Sequence, residues 1–86
     1  MRMNLRIDFL DETSKNVTAV ASDMVAFENE FNLSIARLEH ELKLTHLLYL
    51  AWHVEHRTKV TGKPFLEWVD DVAQVGVGDA DPKSKG

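Results

Sequence analysis

Between Leu44 and His56 the chain reads LTHLLYLAWHVEH, with Leu44, Leu47, Leu48, Tyr49, Leu50, Ala51, Trp52 and Val54 inside eleven positions. A stretch this apolar is either the centre of a core or a surface that waits for a partner, and the rest of the chain must be arranged around it. Leu44, Leu47, Leu48, Ala51 and Glu55 trace one side of a helix, Leu50 and Val54 widen that stripe, and Tyr49, Trp52 and His56 form the flank opposite. A helix that is apolar around most of its circumference is buried on most sides. The spacing therefore predicts a central helix over 44–61. Arg57 and Lys59 suit the negative end of its dipole, and Gly62 and Pro64 serve as stop signals.

The other segments are read as partners of this helix. Met3, Leu5, Ile7 and Phe9 alternate with Asn4, Arg6 and Asp8. Period two marks a strand with one buried face. The polar run Asp11 to Asn16 reads as a turn, and Val17 to Ala21 as a second strand, which gives a hairpin over 3–21. Ser22 or Asp23 can cap a helix over 23–31 that presents Met24, Phe27 and Phe31, with Asn32 as its stop. Ser34 opens a further helix over 34–42 with Ile35, Leu38 and Leu42 on one face. Pro64 opens the last, over 64–73, with Phe65, Trp68, Val69 and Val72 inward. Gln74 to Val77 has the composition of a short strand. The predicted fold class is α+β and mainly helical: an N-terminal β-hairpin packed on about four short-to-medium α-helices. Residues 1–77 form one compact domain, and the small polar run over 78–86 is a flexible tail.

A chain of 86 residues is expected to hold one domain. Its formal net charge of −4, with scattered Lys and Arg, argues against a nucleic-acid partner. The absence of cysteine removes disulfide frameworks, zinc ribbons and thiol catalysis. The N-terminus lacks the continuous apolar run of a signal peptide, and Leu47 to Trp52 is far shorter than a membrane span. These features predict a soluble, intracellular protein.

His53 and His56 lie one helical turn apart and form a chelating pair, but a metal site needs a third and usually a fourth ligand. The H-E-x-x-H pattern is absent, as are G-x-S-x-G and a glycine-rich phosphate loop. The serines sit where turns and caps explain them. No catalytic residue, metal or cofactor is expected. Candidate partner-binding residues are instead Tyr49, Trp52, Phe65 and Trp68, because aromatics are enriched at protein interfaces. Leu5 and Ile7 join them on the reading that the first strand offers an open edge for β-addition.

The order of segments resembles a known family. D-x-x-A-F-E (Asp23, Ala26, Phe27, Glu28) and N-L-S-I (Asn32 to Ile35) are followed by L-L-Y-L-A-W-H (Leu47 to His53). P-F-L-E-W-V-D-D-V (Pro64 to Val72) and V-G-V-G-D-A-D-P complete the pattern. Over roughly residues 3 to 82 this is similar to the short tail assembly chaperones of long-tailed, siphovirus-type bacteriophages, especially those infecting actinobacteria. The resemblance implies a non-enzymatic chaperone that binds and solubilises the tape measure protein and helps recruit subunits of the major tail tube protein. It implies a longer form of the same chain made by ribosomal frameshifting. It also implies action in the host cell cytoplasm and absence from the mature virion. The family has no catalytic residues to transfer and no fixed client-binding motif. Weak homo-oligomerisation fits a chaperone that coats a long client. The alternative from a different class is a structural head–tail or tail component retained in the virion.

Overall fold

The computed structural model describes residues 2–34 and 43–77, in the order β1 (Met3–Phe9), β2 (Ser14–Ala19), α1 (Ala21–Phe31), α2 (Leu44–Arg57), α3 (Phe65–Val69) and β3 (Val72–Val77). The predicted helix over 34–42 and the predicted tail over 78–86 lie outside the described residues, apart from Ser34. The three strands form one antiparallel sheet in the order β2-β1-β3.

β1 and β2 form the hairpin for the reason its alternation suggests: Leu5 and Ile7 face inward and are fully buried, while Arg6 faces out. The turn is fixed by Glu12 in the left-handed region, with φ 74°, and by the Asp11 carboxylate, which accepts from the backbone N–H and hydroxyl of Thr13. Those two hydrogen bonds, the hydroxyl's first, hold the Asp11 carboxyl below its ordinary range.

α1 begins two residues earlier than a Ser22 cap predicts and three earlier than an Asp23 cap predicts. Val20 is the N-cap and has no side-chain oxygen to offer, so only the reverse half of a capping box forms: Asp23 Oδ2 accepts the Val20 N–H at 2.8 Å. Asn32, with φ 54°, ends the helix as expected.

α2 buries Leu47, Leu50, Ala51 and Val54 and packs against all three strands, so this row of the apolar stretch is core. The helix ends at Arg57 and not at residue 61. Lys59, with φ 65°, supplies the left-handed residue expected of Gly62, which does not adopt positive φ. Lys59 N–H bonds back to His56 O and Val60 N–H to Glu55 O, the paired closures of a Schellman motif.

The expectation of a mainly helical fold, with four helices on a lone hairpin, is overturned. Sheet and helix share the described residues, and only three helices occur among them, one of five residues. The predicted helix over 64–73 divides: α3 stops at Val69, and β3 takes Val72 to Val77. The physical reason is non-local. β3 supplies Val75 opposite Ile7 and Val77 opposite Leu5, which satisfies the second edge of β1. A continued helix would leave that edge bare.

Candidate partner-binding surface

α1 and α3 flank α2, and the aromatic side chains of the three helices meet in a continuous row. Phe27 touches Phe31, with ring centroids 5.1 Å apart, and Phe31 meets Tyr49 edge-on at 5.3 Å. Tyr49 packs on Trp52 at 5.6 Å and on Phe65 at 5.7 Å, and Trp52 meets Phe65 at 5.8 Å. The row begins in the core at Phe27 and ends half-buried at Tyr49, Trp52 and Phe65. Helical spacing explains it: Tyr49, Trp52 and His56 stand one turn apart on one side of α2, and His56 lies 4.9 Å from Trp52. Trp52 Nε1 donates to the Lys63 carbonyl at 2.8 Å, which ties the segment leading to Phe65 against α2. Beside Phe65, Leu66 is 74% exposed.

Under this row lies a polar hub. Asp23 is fully buried, and its carboxylate accepts four hydrogen bonds. They come from Val20 N–H at 2.8 Å, Arg57 Nε at 3.0 Å, Arg57 Nη2 at 2.9 Å and His53 Nδ1 at 2.6 Å. An ionised carboxylate only accepts, so the His53 proton sits on Nδ1. Burial pushes the Asp23 carboxyl up. The Arg57 hydrogen bonds, the Val20 N–H and the His53 contact outweigh that, and the net result lies below the ordinary carboxylate range. The hub joins the start of α1 to the end of α2. It also gives His53 of the candidate chelating pair a structural partner. Among the described residues no three histidine or carboxylate side chains converge as a metal site.

A cleft of about 470 Å³ opens on the other side of α2, between the β1–β2 turn and the α2–α3 connection. Glu55, 3% exposed, stands in its wall; Oε1 accepts from Trp68 Nε1 at 3.2 Å. Lys15 Nζ lies 2.7 Å from Oε2, an ion pair off the line of a hydrogen bond.

The six sequence-selected residues therefore separate. Tyr49, Trp52 and Phe65 come together at the surface. Trp68 is 2% exposed and faces Phe9 edge-on in the core. Leu5 and Ile7 are fully buried, and β1 is the central strand with neighbours on both sides, so the open edge expected of it does not exist. All three side chains are buried, and Trp68 also lines the cleft beside Glu55. Sequence reasoning missed the pairing of Asp23 with His53 and Arg57, which lie 30 and 34 positions away. It also missed the buried role of Glu55, although a carboxylate within an apolar helical stripe is the signal that points to it. No protein-family model, curated protein or solved structure matches the chain.

Proposed function

We propose that this chain is a non-enzymatic protein-binding module that acts as a tail assembly chaperone of a long-tailed bacteriophage. It binds the tape measure protein, keeps it soluble in the host cytoplasm, helps recruit tail tube subunits and leaves before the virion is complete. The resemblance in segment order supports this reading. The observation that carries it is the half-exposed group Tyr49, Trp52 and Phe65, continued by Leu66, on a chain of net charge −4. A long helical client with apolar stretches needs shallow apolar docking sites on an otherwise charged, soluble carrier. Many copies along one client gain by avidity, so each contact can be weak.

The test is co-expression with a tape measure protein encoded nearby, scored as soluble complex. Trp52→Ala and Phe65→Ala, each checked for retained folding, are expected to weaken the complex about 30-fold, as for central aromatic anchors. A client that stays insoluble and uncomplexed rejects the reading. Recovery of this chain from purified mature particles supports the alternative, a structural tail component.

A further inference from the structure

Glu55 stands almost wholly buried in the wall of the cleft, and one of its oxygens is left over. Oε1 accepts from the Trp68 indole. Oε2 is shielded from solvent and accepts no hydrogen bond from the described residues. The Lys15 ammonium is 2.7 Å from Oε2 but lies off the line a donor needs. Buried carboxylate oxygens are ordinarily hydrogen-bonded, so this one is a donor short.

The space beside it suits a donor brought from outside. A cleft of about 470 Å³ has the size of a small-ligand site. Phe9 and Trp68, edge-on to each other, give it an apolar side, and Leu10 and Val60 continue that side outward. Its charged lining is three acids, Asp11, Glu55 and Asp71, against two bases, Lys15 and Lys63, which leaves one net negative charge. Lys63 is held by a hydrogen bond to Asp71. Lys15 is held less firmly: it stands opposite Ile7 on the inner face of β2, makes no hydrogen bond to Glu55, and its side chain is 39% exposed.

We propose that this cleft binds a guanidinium group carried on an apolar stem. The guanidinium donates to Glu55 Oε2, the stem lies along Phe9 and Trp68, and Lys15 swings out into water. A guanidinium is more weakly hydrated than an ammonium and offers five N–H donors in one plane, so it gives up less on entry and can meet Oε2 in line where Lys15 does not. Lys15 is already part-way to solvent, and its departure regains hydration. An anion is disfavoured, because it would enter among three carboxylates. The cleft and the row of Tyr49, Trp52 and Phe65 lie on different sides of α2, and the inference stands apart from the chaperone reading.

The Trp68 indole N–H is a reporter already bonded to Glu55, and its nitrogen-15 resonance in the full chain reads the test. Titration with butylguanidinium is expected to move that resonance saturably, with a dissociation constant on the order of a millimolar for so small a probe. Butylurea, equal in shape and uncharged, and inorganic phosphate are expected to leave it in place. Glu55→Gln keeps an oxygen for Trp68 and is expected to weaken butylguanidinium at least about tenfold. Lys15→Met, checked for a folded spectrum, removes the resident cation and is expected to tighten it. A blocked Gly-Arg-Gly peptide separates the sources: binding as tight as butylguanidinium assigns the cleft to an arginine of a partner chain, and weaker binding assigns it to a free small molecule. No saturable movement with butylguanidinium overturns the proposal. So does an equal response to butylurea, a response to phosphate in its place, undiminished binding in Glu55→Gln, or weaker binding in folded Lys15→Met.

Discussion

Two carboxylates are buried on opposite sides of α2, and they are served very differently. Asp23 receives four donors, two of them from one guanidinium, and every lone-pair direction that matters is used. Glu55 receives one indole N–H and an ion pair from Lys15, whose side chain is itself 39% exposed. The first arrangement joins α1 to α2 and closes the protein around them. The second stands in the wall of an open cleft. A buried charge is tolerated in proportion to the hydrogen bonds it collects, so Asp23 is a clamp and Glu55 is a cost only partly offset.

Substitution separates the two. Asp23→Ala strands Arg57 and His53 and is expected to lower stability by about 3–5 kcal/mol, read by chemical denaturation. Asp23→Asn keeps one acceptor but turns an N–H₂ toward donors, for a loss of about 2–3 kcal/mol. Acid titration of stability gives the same contrast in another form. The folded Asp23 carboxyl lies below its unfolded value of about 3.9, so its contribution is complete above that pH. It disappears as pH falls through the lower, folded value, and the gap between the parent chain and Asp23→Asn narrows over that interval. A gap that persisted unchanged at low pH would show that the clamp is not electrostatic.

On the Glu55 side the effects are smaller. Trp68→Phe keeps most of the ring but removes the donor to Oε1, at an expected cost of about 1–3 kcal/mol. Glu55→Gln keeps an oxygen for Trp68 and removes a desolvated charge, so stability should move by about 1 kcal/mol or less. A large loss on Glu55→Gln would put the two carboxylates in the same class. Lys59→Gly relieves the left-handed backbone at the end of α2 and is expected to add about 0.5–1 kcal/mol to the thermal or denaturant stability.

Local pattern made β1, α1 and the inward row of α2 legible, because Leu5 and Ile7 alternate and Leu47, Leu50, Ala51 and Val54 recur at helical spacing. The end of the chain misled for a definable reason. Phe65, Trp68, Val69 and Val72 satisfy a helical period, yet they belong to two elements, and what divides them is a strand at the other end of the sequence. The candidate surface was half legible. Tyr49, Trp52, Phe65 and Trp68 are alike as aromatics in a sequence. Whether a ring is core or surface depends on its acceptor and on what covers it. Trp68 finds buried Glu55, whereas Trp52 finds the Lys63 carbonyl at the rim. The sequence suggests an open edge at Leu5 and Ile7 because one neighbour of β1 adjoins it in sequence and the other does not.

The central place of β1 also orders events in time. Its pairing with β2 closes a four-residue turn, whereas its pairing with β3 joins Leu5 to Val77. On a ribosome adding about 5–20 residues per second, Val77 appears roughly 3–12 s after Ala19. Throughout that interval the nascent hairpin carries Leu5 and Ile7 on a strand with one bare side. The newborn chain thus passes through a stage in which the sheet core lies open to whatever is nearby, and β3 ends that stage by arriving last.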